Sequence, residues 1–171
     1  YKLKVDLEFI GSGSISDFLI NYSIEKGINA NFCGRVNFRR SVIKKWDFCV
    51  VPSLREPLGL VPGEISLLDT LTLASEIDGL QEMYPKECKL LMIKMKKNKL
   101  DSQKTNLQYD SSRRQLVNGL EPSVEDCAKK ISFLVNNKKK YCKLLKQHQF
   151  FIKANFDILN HSKNLKRYVF S

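Results

Sequence analysis

The fold is decided by the stretch Asp47-Phe-Cys-Val-Val-Pro-Ser-Leu-Arg-Glu-Pro-Leu-Gly-Leu-Val-Pro-Gly-Glu64. Its apolar run from Phe48 to Val51 predicts a buried parallel strand. Pro52 ends that strand and opens a loop. A helix is then predicted from residue 60 or 61, with Pro62 in its first turn, where a missing N–H is tolerated. The stretch therefore predicts a strand, a loop and a helix in direct succession.

Two glutamates, Glu56 and Glu64, bracket this loop, and Gly59 between them allows a close approach of the backbone. A strand, a glycine-containing loop and a helix N-terminus together form the layout that holds phosphates in open α/β sheets. A carboxylate on the helix can accept hydrogen bonds from sugar hydroxyls, and one in the loop can face the reacting part of a ligand. From spacing alone, ordinary surface carboxylates at a strand–helix junction are an equal alternative.

The rest of the chain alternates predicted strands and helices from its start to about residue 93. This alternation predicts an α/β fold, a Rossmann-like parallel sheet with helices on both faces. We expect a single domain over 1–171, with its core at 1–93. A Lys-, Asn- and Ser-rich excursion or flexible loop is expected at 94–115. C-terminal helices are expected within 121–168, the last of them from 157 to 167.

The composition is that of a globular protein, with 43% hydrophobic and 27% charged residues among 171. No apolar run reaches the 18 or more residues of a membrane span. The five cysteines show no short C-x-x-C spacing, which favours reduced core thiols over a disulfide or metal framework. These features predict a cytoplasmic protein.

The turn Gly11-Ser-Gly13 follows the first predicted strand, at the end where ligands bind in parallel sheets. It lacks the third glycine of a dinucleotide fingerprint, so an NAD site is not predicted. A tight strand–helix turn without a ligand remains the alternative for these glycines.

Several short motifs resemble one family when they are taken together. They are Gly11-Ser-Gly13, Phe32-Cys-Gly34-Arg-Val36, the stretch 47–64, Ala74-Ser75, and Gly79-Leu-Gln-Glu82. In this order and spacing they resemble the large group 1 family of retaining glycosyltransferases with the GT-B architecture. The resemblance covers residues 5 to about 84, with a weaker echo over 119–168. It implies that the chain is the C-terminal, donor-binding half of an enzyme of lipopolysaccharide, capsule or other cell-surface glycan biosynthesis.

The resemblance also implies a role for each matched residue. Glu64 would bind the ribose hydroxyls of a nucleotide sugar, and Glu56 would face the transferred sugar near the reacting centre. The backbone at Gly59, Leu60 and Val61 would meet the diphosphate or the sugar. The remaining donor-binding positions are Arg35 and Val36 beside the base, with Gly11 and Gly13. No metal and no cofactor other than the donor is implied, and the acceptor-binding N-terminal domain with its phosphate-clamping Arg and Lys is expected before residue 1.

Departures from the family pattern leave a second function open. Ile65, Asp69 and Leu71 stand where the family usually has Ala, Gly and Pro. A catalytically inactive scaffold derived from a glycosyltransferase is therefore an alternative. A basic nucleic-acid-binding module is a further one, suggested by a pI of about 9.5, although it explains neither glutamate, and we do not expect nucleic acid as a partner.

The positive charge is concentrated in the last quarter of the chain. Residues 129–171 hold 11 Lys and Arg against one acid, Asp157, whereas residues 1–128 hold 18 against 17. Such an excess predicts either a solvated face or attachment to an anionic membrane surface. The two histidines, His148 and His161, fall in this segment and are expected on a solvated helix face.

Overall fold

The computed structural model describes residues 5–36, 40–97, 107–110 and 115–157. The chain divides into two compact units, Tyr1–Arg39 and Arg40–Ser171. The single domain expected over 1–171 stays a prediction.

The first unit is a strand–helix–strand motif. Strand β1 (Leu7–Ile10) and strand β2 (Ala30–Gly34) pair in parallel, with helix α1 (Ser16–Glu25) between them. Phe9 and Phe32 lie on neighbouring strands and stack with their ring centroids 4.8 Å apart. Because parallel pairing needs a crossover connection, the helix between the strands is the expected solution.

The second unit contains a three-stranded parallel sheet in the order β3-β4-β5. All five residues of the central strand are buried, and the strand carries leucine, alanine, threonine and serine but no charged side chain. The first helices and strands of the second unit are, in chain order, α2 (Arg40–Ile43), β3 (Phe48–Val51), α3 (Val61–Leu67), β4 (Leu71–Ser75) and β5 (Met92–Ile93). Two 3-10 helices, Asp78–Met83 and Lys86–Leu91, connect β4 to β5.

The stretch 94–115, expected as an excursion or a flexible loop, contains strands β6 (Met95–Lys97) and β7 (Leu107–Asp110). The first pairs antiparallel with β9 (Leu120–Pro122), and the second with β8 (Gln115–Asn118). Backbone pairing needs no apolar side chains, so this polar sequence gave little warning of its strands.

Helices α4 (Val124–Val135) and α5 (Lys138–Asn155) complete the described part of the unit. Ser123 caps α4 by accepting a hydrogen bond from the amide of Asp126 at 3.2 Å. Leu144 and Ile152 of α5 are buried in the core that also contains Leu80, Met83 and Leu134. The last expected helix lies outside the described residues beyond Asp157. In the part of the chain that the structure describes, no helix is long and apolar enough to cross a membrane.

His148 does not lie on a solvated face, so that expectation was wrong. Its side chain is fully buried in α5 and stacks on Tyr84, with the ring centroids 4.5 Å apart. Its Nε2 donates to the carbonyl of Met83 at 2.8 Å. Burial lowers the pKa of His148, so the buried imidazole is neutral. The histidine thus fastens α5 to the end of the 3-10 helix Asp78–Met83. His161 lies outside the described residues.

Candidate functional site

The loop of residues 52–60, between β3 and α3, lies at the carboxyl end of the parallel sheet. Strand β4 is the neighbour of β3, and its own carboxyl end leads into the 3-10 helix Asp78–Met83. The two connections therefore leave the same edge of the sheet. In open α/β sheets this is the edge at which ligands bind.

Asp78 holds the loop in place across the gap between these two connections. Its carboxylate accepts a hydrogen bond from Nε of Arg55 at 2.8 Å and another from the backbone amide of Glu56 at 3.1 Å. The next residue, Gly79, donates its amide to the carbonyl of Glu56 at 3.1 Å. Two hydrogen bonds thus fix the amide and the carbonyl of Glu56, a third holds the Arg55 side chain beside it, and Glu56 itself is half-buried.

Glycine is required on both sides of this contact. A Cβ on Gly79 would lie only 1.7 Å from the carbonyl oxygen of Pro57. Gly59 has a φ of +70°, and a Cβ there would lie 2.6 Å from Leu80 and 2.7 Å from Cγ of Glu56. At Gly79 the 3-10 helix therefore packs directly against the loop backbone, which only a residue without a Cβ allows, whereas Gly59 is favoured by its positive φ.

Helix α3 begins directly after the loop and presents the second glutamate. Glu64 is exposed in the first turn of the helix, Leu60 is its exposed N-cap residue, and Val61 is its first residue. The first-turn amides of a helix have no acceptor within the helix, and Pro62 has no amide to satisfy. Glu56, Gly59, Leu60, Val61 and Glu64 thus lie in one loop–helix segment, and their role in donor binding stays a prediction.

The other four predicted site residues lie in the first unit. Gly11 directly follows β1, and its amide donates to the carbonyl of Gly34 at 2.6 Å. Arg35 is exposed and Val36 half-buried, both directly after β2, while Gly13 precedes α1. Since β1 and β2 are parallel, these residues share the carboxyl edge of their own strand pair. The predicted site residues therefore form two sets, one in each unit.

Sequence reasoning missed Arg55 and the role of Asp78. Asp78 begins the 3-10 helix and has a positive φ of 42°. Its hydrogen bonds reach back more than 20 residues, and no local pattern announces such a contact. The one available signal in the sequence was an acid, Asp78, directly before a glycine, Gly79.

The thiol nearest to the loop in sequence offers no nucleophile. Burial raises the pKa of Cys49, in β3, to about 11, so it remains a thiol at neutral pH. Among the described residues, no cluster of three or more His, Cys, Asp or Glu could hold a metal ion. A metal-independent site stays a prediction.

The parallel sheets, the helices and the strand-end loop define an α/β fold of the kind found in GT-B glycosyltransferases, which confirms the predicted fold class. Two solved structures show the likeness over 96% of this chain. One is sucrose-phosphate synthase from Thermosynechococcus elongatus, at 20% identity, a TM-score of 0.68 and 38% coverage of that chain. The other is HepE from Anabaena in complex with UDP, at 14% identity, a TM-score of 0.69 and 40% coverage of that chain.

The likeness is one of fold. Neither the protein-family models nor the curated protein sequences compared with this chain match it. The chain spans about two fifths of the length of the two structures that it resembles, 38% and 40%. Its function therefore has to be argued from its own residues.

Proposed function

We propose that this chain is the donor-binding domain of a retaining glycosyltransferase. The whole enzyme would move a sugar from a nucleoside-diphosphate sugar to a saccharide or a lipid-linked acceptor in cell-surface glycan biosynthesis. The observation that carries the proposal is the loop 52–60, which the hydrogen bonds of Asp78 and Gly79 fix at the carboxyl edge of a parallel sheet. The fold likeness to a protein whose structure holds UDP supports the same assignment.

In this proposal the donor's leaving group meets the loop and the first turn of α3. Breaking the bond between sugar and diphosphate leaves negative charge on the phosphate and positive charge on the sugar. The backbone amides at Gly59, Leu60 and Val61 stabilise the former, as fixed dipoles do without reorganisation. The carboxylate of Glu56, whose backbone is anchored on both sides, stabilises the latter. The exposed Glu64 accepts hydrogen bonds from the ribose hydroxyls.

The remaining parts of the proposed site come from elsewhere in the protein. From the family resemblance we propose Gly11, Gly13, Arg35 and Val36 of the first unit as further donor-binding residues. An acceptor-binding domain, with the cations that clamp the diphosphate in place of a metal, completes the enzyme. The reaction belongs to the cytoplasm, and the five free cysteines fit a reducing compartment.

The departures that favoured an inactive scaffold have a structural explanation. Ile65 and Leu71 are fully buried, so their bulk is absorbed in the core and not at the loop. Asp69 has a φ of 72°, in the left-handed region that favours glycine. None of the three replaces a residue of the proposed donor site.

Calorimetric titration of the chain with UDP-, GDP-, ADP- and CMP-sugars tests the proposal. We expect one class of donor to bind, and Glu64→Ala to weaken its binding roughly tenfold or more, since a hydrogen bond to a charged group contributes about 1.5–3 kcal/mol. Glu87→Ala is the matched control, because Glu87 is also exposed and lies in the same unit. Equal losses in both variants would refute the ribose assignment. Binding of no donor, even with an acceptor domain present, would favour the inactive scaffold.

A further inference from the structure

The outward face of α5 is basic along its whole length. The helix contains six lysines and no acid between Lys138 and Asn155, and its 18 residues span roughly 27 Å. Side chains three and four positions apart share a helix face. By this spacing one face carries Lys139, Lys143, Lys146, Phe150 and Lys153.

The burial of individual side chains confirms which face is outward. All five residues of this set are exposed, whereas Leu144, His148 and Ile152 on the other side of the helix are buried. Within the described residues none of these lysines forms an ion pair. The set Lys139, Lys143, Lys146, Phe150 and Lys153 is called the α5 basic face below.

Phe150 distinguishes this face from an ordinary solvated one. Its side chain is 76% exposed, the largest exposed fraction among the exposed large hydrophobic residues of the described chain. It stands one turn beyond Lys146 and within one turn of Lys153. A phenylalanine between lysines does not stabilise a fully solvated helix, whereas a helix that lies at a membrane surface buries such a side chain among the lipid chains.

We propose that the α5 basic face binds the surface of an anionic lipid bilayer. The lysines approach the headgroup phosphates with their aliphatic stems along the surface, and Phe150 enters the boundary between headgroups and acyl chains. The proposal goes beyond donor binding and does not depend on it. It brings the domain to a surface that displays lipid-linked molecules.

Lipid fits this face better than nucleic acid does. Base recognition pairs arginine or lysine with guanine and asparagine or glutamine with adenine, and single strands are held by several aromatic platforms. The α5 basic face offers lysine point charges and one aromatic ring. Lysine attraction to an anionic leaflet needs neither paired donors nor stacked rings.

Co-sedimentation of the full chain with vesicles tests the proposal. We expect binding to vesicles of phosphatidylcholine with phosphatidylglycerol at low salt, weaker binding at high salt, and little to phosphatidylcholine alone. Each lysine at an anionic leaflet is worth roughly a fivefold change in partitioning. The combined change Lys139→Gln, Lys143→Gln and Lys146→Gln should therefore weaken binding about 100-fold.

A matched variant controls for net charge. Lys44→Gln, Lys97→Gln and Lys129→Gln remove the same three charges from exposed positions outside α5. This variant should bind within a few-fold of the parent chain. Equal losses in both triple variants would show a general charge effect and overturn the proposal.

Phe150→Gln separates insertion from charge. It should reduce vesicle binding several-fold, and the reduction should persist at high salt because apolar burial is not screened. Circular dichroism checks that each variant is folded. Equal binding to neutral and anionic vesicles, or binding to neither, would overturn the proposal. Binding of duplex or single-stranded DNA at physiological salt through the same lysines, without vesicle binding, would assign the face to nucleic acid instead.

Discussion

Among the described glycines, Gly79 is the one whose replacement by alanine should damage the loop 52–60 most. The new Cβ would lie 1.7 Å from the carbonyl oxygen of Pro57, 2.5 Å from its carbonyl carbon and 2.9 Å from Cα of Leu58. Ordinary van der Waals contact begins at 3.4 Å. The backbone on one side must therefore move by about 1.7 Å, since none of these atoms belongs to a side chain that could rotate away.

That movement breaks the hydrogen bonds that fix Glu56. Its carbonyl loses the amide of residue 79, and its own amide moves away from Asp78. Overpacking costs about 1–3 kcal/mol and each hydrogen bond about 0.5–1.5 kcal/mol. We expect Gly79→Ala to lower the free energy of unfolding by about 3 kcal/mol. With an m-value of about 2 kcal/mol per molar urea, the midpoint of urea unfolding should fall by roughly 1.5 M.

Gly63→Ala is the matched control, because Gly63 is another buried glycine of the same unit. Its Cβ would meet the ends of two side chains, Met83 at 2.9 Å and Ile152 at 3.3 Å, and these can rotate away. Alanine also favours the helix by up to about 1 kcal/mol. The free energy of unfolding should therefore change by less than about 1 kcal/mol. If both variants unfold at the same urea concentration, the described packing of loop and 3-10 helix is wrong.

Three further predictions concern single side chains. Tyr141→Phe should lower the free energy of unfolding in urea by about 1–3 kcal/mol, because the Tyr141 hydroxyl accepts a hydrogen bond from the buried amide of Leu71 at 3.2 Å. An unchanged unfolding midpoint would contradict that contact. Below about pH 6.5 the free energy of unfolding of the parent chain should fall, because His148 is protonated more readily in the unfolded chain than in the folded core. His148→Phe should remove this part of the pH dependence. If the free energy of unfolding falls with pH equally in both proteins, this role of His148 is wrong. In a protein that carries both domains, Glu56→Gln should spare donor binding and lower turnover on the order of 10²–10³-fold, as steady-state kinetics would show; near-normal turnover would exclude Glu56 from the mechanism.

The strand, loop and helix of residues 48–67 were predictable because their signals are local. An apolar run marks β3, and a proline marks each end of the connection. Helices α4 and α5 lie within residues 121–168, where C-terminal helices were predicted. Pro122 ends β9, and Ser123 takes the capping position of α4.

His148 shows why the rest was harder to predict. Its helix contains so many lysines that a solvated face was the natural interpretation. Leu144, His148 and Ile152 nevertheless recur every four residues, and this spacing places all three on one face. The burial of that face depends on Met83 and Tyr84, 64 or more positions earlier in the chain. Asp78 escaped notice for the same reason, since its partners are distant in sequence.

Gln149 binds the carbonyl of Ser66 at 2.8 Å and the carboxylate of Asp69 at 2.9 Å, across at least 80 positions of the chain. The hydroxyl of Tyr141, also in α5, donates to the carbonyl of Asp47. Gln149 and Tyr141 therefore connect α5 to both ends of the segment that contains Glu56 and Glu64. Contacts between such distant residues slow folding, because a large loop must close before they form. During synthesis the first half of this unit therefore emerges from the ribosome long before its partner helix exists. Until residue 155 has been made, the part of α3 and β4 that packs against α5 stays uncovered, and exposed apolar surface of this kind favours aggregation of the nascent chain.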